Sequence, residues 1–432
     1  MTVPFAAIAG RASRAEALHD ALSSGSTLAV PLAARAPVLS ALAKISSGRL
    51  LVITATEREA EALIDDLSLF LGEDPDDPKT RAPLLFPAWE TLPFERISPE
   101  VGTMAARALV TDELRAGNSE RMVLVAPVKA LLQRLAPASS FRPIELRLGG
   151  ELVMDEFVTA LSEAGYRREY QVEHRGEFAV RGSIIDLFAP TSPLGVRIDL
   201  FGDRIDRLSW FDPGDQRSVE AIEHFTLPRC RELVLDDEIR ERAAGLASTV
   251  TWASAQLEAI AAGSWFDGME ALLPWREDDP ALLADLLSAD DRVLILDPSL
   301  VRSRALAIIE EEDALASSLA ATWNAEDVEH APRLHLPYDR LLARSPCLVT
   351  AMPSVSDSPK TVQVSTRGFS PVRGDGEQLV AQINTLRSRG MAVVLCPSTE
   401  AGAERLLEVL VEHDLEARLC TQASGKPGLE VV

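Results

Sequence analysis

Residues 173–217 contain the pattern that most restricts how this chain folds. Apolar and polar residues alternate along most of the stretch, which predicts half-buried strands with one apolar and one polar face. Phe178 and Val180 share one side, and the apolar positions shift by one residue after Arg181-Gly182. A β-bulge at Gly182 would produce such a shift and turn Arg181 outward, so we expect a bulged strand here.

A second alternating run, residues 196–200, leads to Gly202-Asp203, where a two-residue II′ hairpin turn is expected. The outward positions of both runs carry arginine, aspartate and glutamate. Together the two runs predict a small antiparallel sheet with one solvated, arginine-bearing face.

Strand-like and helix-like segments alternate on both sides of this sheet. Short apolar runs occur at 50–54, 84–86, 122–126 and 292–296, and each is followed, directly or after a loop, by a helix-like segment. This alternation predicts an α/β fold with a doubly wound sheet.

The position of the antiparallel sheet predicts that it interrupts the α/β domain. We assign the first part of that domain to residues 1–135, the inserted domain to 136–212 and the second part to 213–345. A last helix–strand–helix unit, residues 346–432, is expected to form a small α/β domain of unknown role. An insert of about eighty residues is within the usual size range of a domain.

The composition limits the classes of partner. The chain has 43 basic and 66 acidic side chains, and its net charge is −23. An electric field of that sign repels phosphate, so the chain as a whole is a poor candidate for strong DNA or RNA binding.

The cysteines and the hydropathy of the chain indicate its compartment. Cys230, Cys347, Cys396 and Cys420 have no CxxC spacing, which predicts buried free thiols rather than zinc ligands or disulfides. The chain shows no signal segment and no apolar run near the roughly 20 residues that a membrane span needs. A cytoplasmic location, with no membrane contact, is therefore expected.

An α/β domain of this kind could hold a nucleotide, and residues 24–37 occupy the place of a phosphate loop. This segment has one glycine, no lysine, and prolines that remove backbone N–H donors. A cradle of backbone amides plus a lysine cannot be built from it, and no acidic box for magnesium follows an apolar strand. We therefore expect no nucleotide hydrolysis by these residues, no metal site and no catalytic residue.

Several short motifs occur in a specific order and spacing. They are Phe86-Pro-x-Trp-Glu-Thr-Leu-Pro-Phe94, Ala126-Pro-Val128, Gly165-Tyr166-Arg167, Arg175 to Phe188, Arg197 to Asp203, and Phe211 to Arg217. In this arrangement the chain resembles the amino-terminal part of the bacterial transcription-repair coupling factors (Mfd). The resembling part is the module that this family shares with the excision-repair protein UvrB.

The resemblance implies a fold and a function. It implies a UvrB-like α/β domain without a phosphate loop, and an insert that recruits the damage-recognition protein UvrA to stalled RNA polymerase. Full-length members add an RNA-polymerase-binding domain and a double-stranded DNA translocase that uses ATP and magnesium, and neither motor motif occurs here. The resemblance also implies that this module folds back on the motor and masks the insert. The alternative is a UvrB-like ATP-dependent enzyme acting on damaged DNA.

The resemblance also names candidate residues for UvrA binding. Arg168 and Arg181 match arginines that UvrB uses, Arg167 belongs to the Gly-Tyr-Arg motif, and Phe188 could serve as an apolar anchor. Arginine suits such a surface because its guanidinium group makes planar, bidentate contacts with carboxylates. A solvated face explains the same residue types, with three acidic neighbours as ion-pair partners: Glu169, Glu173 and Glu177.

Overall fold

The computed structural model describes residues 5–71, 82–92, 95, 97–117, 122–138, 141–272, 279–319, 333–364, 369, 372, 376–397 and 399–432. The helices are α1 (Ala6–Ala12), α2 (Glu16–Ser24), α3 (Arg35–Ile45), α4 (Glu57–Ser68), α5 (Val101–Arg115), α6 (Val128–Leu132), α7 (Met154–Glu163), α8 (Asp237–Ala247), α9 (Ser254–Ala261), α10 (Pro298–Leu319), α11 (Gly376–Ser388) and α12 (Glu400–Glu412).

The strands are β1 (Leu28–Ala29), β2 (Leu50–Thr54), β3 (Leu84–Leu85), β4 (Val123–Pro127), β5 (Ile144–Arg147), β6 (Arg167–Arg168), β7 (Glu177–Arg181), β8 (Ile184–Leu187), β9 (Gly195–Phe201), β10 (Arg204–Phe211), β11 (Ser218–Ala221), β12 (His224–Leu227), β13 (Arg292–Leu296), β14 (Leu348–Met352), β15 (Val362–Gln363), β16 (Ala392–Leu395), β17 (Arg418–Leu419) and β18 (Gly428–Val431). The predicted mixed α/β class with an antiparallel sheet is confirmed. Likeness to UvrB in detail stays a prediction.

The scaffold is a five-stranded parallel sheet with the order β14-β13-β2-β4-β3. Its middle strand β2 is buried along its whole length, as expected for a parallel strand covered on both faces. Leu50 and Val52 pack into one core with α3 and α4. Leu51 and Ile53 pack into a second core with α6 and α10, so helices cover both faces of the sheet.

The stretch that most restricts the fold forms a six-stranded sheet with the order β11-β10-β9-β8-β7-β6. Neighbouring strands are antiparallel except for β6 and β7, which are parallel. Apolar side chains of its inner face pack against Phe157 and Leu161 of α7. Gly202 has a φ of +61°, and the hairpin pairs Arg204 with Phe201, as the sequence predicts.

The bulge expected at Gly182 is wrong. Gly182, with a φ of +64°, and Ser183 form a two-residue hairpin turn between β7 and β8. Val180 pairs with Ile185 across this turn. Because paired residues of neighbouring strands share a face, a two-residue turn produces the same shift in the apolar pattern as a bulge.

The small core of the insert extends beyond residue 212. Strand β12 pairs with β5 in an antiparallel ribbon, and Leu227 and Cys230 join the core that contains Phe178. The chain therefore leaves this sheet later than its alternating pattern suggests, because β12 returns to the segment that enters the insert. The division of the chain into domains stays a prediction.

The last unit contains more strands than the sequence indicates. Beside β16, which was expected, β17 and β18 complete a parallel sheet with the order β16-β18-β17. Strand β15 follows β14 after a loop, and it pairs with β1 near the start of the chain. These strands have two to four residues, too few for a pattern of alternation to be recognised.

All four cysteines are free thiols, but only Cys230 is buried, and Cys396 is exposed. Burial raises the pKa of the Cys230 thiol, which keeps it protonated and unreactive. Among the described residues, none of the helices is long and apolar enough to cross a membrane.

The Phe86–Trp89 part of the first motif packs around a fully buried arginine of α5. Arg107 donates from Nε to Glu232 Oε2 over 2.7 Å and from Nη1 to the Pro87 carbonyl over 2.9 Å. Its guanidinium carbon lies 4.3 Å from the centre of the Phe86 ring, and Trp89 donates its indole N–H to the same Glu232 carboxylate. Trp89 is a buried core residue, whereas Phe94 lies outside the described residues.

Replacing Arg107 by alanine is expected to lower the free energy of unfolding by about 3–5 kcal/mol, because the Glu232 carboxylate would stay buried without its cation. Urea titration followed by circular dichroism measures this loss. The control is Arg405→Ala on the exposed face of α12, which should change the stability by less than about 0.5 kcal/mol. Equal, small losses in both variants would contradict the structural role of Arg107.

Candidate functional site

Arg167 and Arg168 form the short edge strand β6, and both are exposed. The Arg167 guanidinium donates from Nη2 to Glu177 Oε1 over 2.7 Å, and its Nε forms an ion pair with Glu169 Oε1 at 2.8 Å. The structure gives the Arg168 side chain no hydrogen bond or ion pair with any described residue. Of the two, Arg168 therefore offers the uncommitted guanidinium group.

Glu177 anchors the loop that follows this edge. Its side chain is almost fully buried, and Oε2 accepts the backbone N–H groups of Glu173 and His174 over 2.9 and 2.8 Å. Burial alone would raise the pKa of Glu177, but these two N–H donors and the Arg167 guanidinium together hold it below its ordinary value. The charge of Arg167 is thus already paired within the chain, and a role of Arg167 in UvrA binding stays a prediction.

Arg181 lies at the end of β7 and shares a carboxylate with a second arginine. Its guanidinium pairs with Asp186, whose side chain has no exposed surface. Arg197 on β9 donates two hydrogen bonds to the same carboxylate, from Nε to Oδ1 over 2.6 Å and from Nη2 to Oδ2 over 3.0 Å. The Arg181 side chain is 43% exposed and that of Arg197 is 16% exposed, so solvent reaches mainly Arg181.

Phe188 is only partly available. Its ring packs with Val172, Ala179 and Phe211 on the outer face of the sheet, and the Arg175 guanidinium lies 5.7 Å from the ring centre. The outer face was expected to be solvated, but part of it is a small second core covered by the loop that contains Val172. An anchoring role for Phe188 stays a prediction.

Strand register separates the candidate arginines. Arg167 is in register with Glu177, and Glu177 and Arg181 point to the same face of β7 because they are four residues apart. Arg167 therefore lies on the outer face with Arg181. The Cα atoms of Glu177 and Arg181 are about 13 Å apart at the usual rise of a strand. Arg168 pairs with Phe178, whose side chain belongs to the inner core, so Arg168 lies on the other side of the edge. The structure brings Arg167 and Arg181 to one face and places Arg168 at its rim.

Sequence reasoning missed two residues of this surface. Tyr170, just after β6, is 91% exposed, and tyrosine is a residue type that often dominates protein interfaces. Arg197 binds the buried Asp186 that also holds Arg181. The alternation of residues 196–200 already placed Arg197 outward, whereas no local signal indicates the exposure of Tyr170.

The segment in the place of a phosphate loop is closed by an internal ion pair. Arg35, the first residue of α3, pairs with Asp297 just beyond the end of β13. Asp297 also accepts the backbone N–H of Ser354 over 2.8 Å and its hydroxyl over 3.0 Å. Burial would raise the pKa of Asp297, but the Arg35 guanidinium and Ser354 hold it below its ordinary value.

Within the described ranges, no group of three or more histidine, cysteine, aspartate or glutamate side chains is placed to hold a metal ion. The exposed Arg167 and Arg168 side chains and the exposed Tyr170 ring are of residue types that are enriched at protein–protein interfaces.

Comparison with known proteins gives the class of this surface. The sequence model of the UvrB interaction domain matches residues 144–231, which include all six strands of the sheet and the β5–β12 ribbon. The insert is therefore a UvrB interaction domain.

Longer alignments, which extend beyond residues 144–231, are found with transcription-repair-coupling factors. The transcription-repair-coupling factor of Mycobacterium bovis is 37% identical over 438 residues, which cover 93% of this chain and 34% of that protein. Those of Myxococcus xanthus and Bacillus subtilis are 34% and 27% identical, over 65% and 93% of this chain and 24% and 35% of their own lengths. The chain thus spans about a third of the length of the Mycobacterium bovis and Bacillus subtilis proteins. It belongs, over the aligned residues, to the transcription-repair-coupling factor family.

The lowered pKa of Glu177 predicts how its contribution to stability depends on pH. Because the folded-state pKa lies below the ordinary value of 4.5, the contribution is present above pH 4.5 and is lost as the pH falls through the folded-state pKa. We expect Glu177→Gln to be less stable than the wild type at pH 7, with a difference that shrinks below pH 4.5.

Urea unfolding of both proteins at several pH values checks this expectation. Glu404→Gln, on the exposed face of α12, is the control and should differ little from the wild type at any pH. A Glu177→Gln difference of constant size down to pH 3 would show that the carboxylate is not stabilised as described.

Proposed function

We propose that this chain recruits UvrA in transcription-coupled DNA repair, through the insert. The observation that carries the proposal is the match of the UvrB interaction domain to residues 144–231. The transcription-repair-coupling factors among the relatives support the pathway. RNA polymerase, double-stranded DNA, ATP and magnesium would be engaged by other parts of a full-length protein, in the bacterial cytoplasm.

The charges of the surface indicate what the partner presents to it. Arg168 has no internal partner among the described residues, and Arg181 can leave Asp186 because Arg197 still neutralises that carboxylate. Both guanidinium groups can therefore donate hydrogen bonds to carboxylates of a partner without leaving a buried charge unpaired. The complementary surface on UvrA is expected to be acidic.

We further propose that this chain does not hydrolyse ATP. In open α/β sheets, ligands bind beyond the carboxyl ends of the strands, which is where Arg35, Asp297 and Ser354 bond with one another. A phosphate would meet the Asp297 carboxylate there, and Arg35 would have to give up its ion pair to bind it. This closure disfavours the alternative of a UvrB-like ATP-dependent enzyme.

Replacing Arg181 by glutamine is expected to weaken binding to purified UvrA by about 2 kcal/mol, or roughly 30-fold. Glutamine is preferable to glutamate because a new negative charge would lie beside the buried Asp186. Binding is measured by calorimetric titration at moderate salt. The control, Arg405→Gln, removes the same charge from α12 and should bind like the wild type.

Absence of binding by the wild-type chain would contradict the proposed function itself. Binding that is equal in wild type and Arg181→Gln would remove Arg181 from the surface, and Arg168→Gln would then be the variant to measure.

Titration of the chain with ATP and magnesium is expected to give no binding heat, because the internal ion pair of Arg35 and Asp297 takes the place of a phosphate contact. ATP hydrolysis is measured in parallel, with and without DNA. Saturable ATP binding that Arg35→Ala abolishes would contradict this proposal and favour the UvrB-like enzyme.

A further inference from the structure

Gln216 has an unusual backbone conformation in the turn between β10 and β11. Its φ is +63°, in the left-handed region that residues other than glycine and asparagine rarely adopt. The backbone N–H of Gln216 donates to the Asp212 carbonyl over 2.7 Å, which closes the turn. Such strain persists only where surrounding contacts hold it, and it is concentrated at functional sites.

The side chain of Gln216 connects this turn to a distant loop. Nε2 donates to the Pro213 carbonyl over 2.7 Å and to the Val172 carbonyl over 2.8 Å. Both neighbours are acceptors, so only the NH₂ end of the amide can face them, and the orientation of the side chain is fixed by chemistry. A glycine would relieve the strain at this position but could not reach Val172.

The main-chain carbonyl of Gln216 connects the turn to the arginine pair at Asp186. It accepts Nη1 of Arg197 over 3.1 Å, and the same guanidinium group binds Asp186, the carboxylate that holds Arg181. A continuous series of hydrogen bonds therefore runs from Arg181 through Asp186, Arg197 and Gln216 to the backbone of Val172.

The loop held at Val172 carries the other half of the candidate surface. Arg167 and Arg168 precede it on β6, and the exposed Tyr170 is two residues before Val172. Apart from the Gln216 amide, the loop is hydrogen-bonded at its two ends. The Glu169 N–H donates to the Phe178 carbonyl over 2.8 Å, and Glu177 accepts the N–H groups of Glu173 and His174.

We infer that Gln216 is a positioning residue of the partner-binding surface. It fixes the loop with Tyr170 relative to Arg181, so that both parts of the surface are ordered before the partner arrives. This inference rests on the proposed function. It states that binding of UvrA depends on a loop that Gln216 already holds in place in the free chain. Order present before binding spares the complex the entropy of fixing the loop.

The test uses Gln216→Met, which keeps the length of the side chain and removes both amide hydrogen bonds. Hydrogen exchange in the free chain should be about tenfold faster at the backbone amides of Glu173 and His174. The affinity for UvrA should fall by a similar factor. Gln216→Gly, which adopts a positive φ without strain, should reproduce both effects if they come from the side chain.

The control is Gln363→Met. It also removes a hydrogen bond from a side-chain amide to a backbone carbonyl, here the carbonyl of Ser356, and both residues are far from this surface in sequence. It should leave both the loop exchange and the affinity unchanged. Unchanged exchange in Gln216→Met overturns the inference, as does faster exchange with an affinity equal to that of the wild type. Failure of the wild-type chain to bind UvrA overturns the proposed function instead, which separates the two.

Discussion

Arg107 is a charged side chain without exposed surface, and it makes sense only together with Glu232. Their ion pair links α5 of the scaffold to the residue that directly follows the matched insert domain. A buried charge that loses its partner is strongly destabilising, so the pair requires that the chain returns to the same place after the insert. Trp89 donates to Glu232, and Gln133 accepts from Arg107. The first motif, which contains Trp89, and the segment that enters the insert, which contains Gln133, are therefore held at the same ion pair.

Two further ion pairs involve arginines at the end of the matched domain, where the chain leaves the insert. Arg229 binds Asp112 on α5 over 2.8 Å, and Arg231 binds Glu270 on the other side of the exit. The two arginines thus bind two different segments of the chain, α5 and the segment around Glu270. These ion pairs attach the six-stranded sheet to the scaffold at several points, so that Arg181 on its outer face and Arg168 at its edge have defined positions relative to the scaffold. Defined positions fit the proposed recruitment of UvrA, because side chains that are ordered before binding lose less entropy when the complex forms.

The elements that the sequence predicted well are those with local causes. Strand β2 and the hairpin at Gly202 follow from five consecutive apolar or β-branched residues and from turn chemistry. The outward position of Arg181 follows from alternation, although the turn at Gly182 replaced the expected bulge, because both shift the pattern equally. Strand β17, with two residues, has no pattern to detect.

What escaped prediction depends on residues far apart in the sequence. The ion pair of Arg107 and Glu232 joins positions 125 residues apart, and that of Arg35 and Asp297 joins positions 262 apart. No periodicity connects such residues, and arginine on a helix ordinarily indicates a solvated face. The second core under Phe188 escaped for the same reason, because Val172 reaches it through a loop and not through the strand pattern.

The two long-range arrangements give the halves of the molecule different roles. At the carboxyl ends of the scaffold strands, Arg35 is paired with Asp297 and Ser354, so a position that commonly binds ligands in α/β proteins is used for internal cohesion. On the insert, by contrast, Arg181 shares its carboxylate with Arg197, and one of the two cations is in excess. An ion pair with matched charges closes a site, whereas a carboxylate with two arginines leaves one of them able to exchange partners. The ratio of arginines to carboxylates is one to one in the scaffold and two to one in the insert. This difference favours the insert, rather than the scaffold, as the part of the chain that binds another molecule.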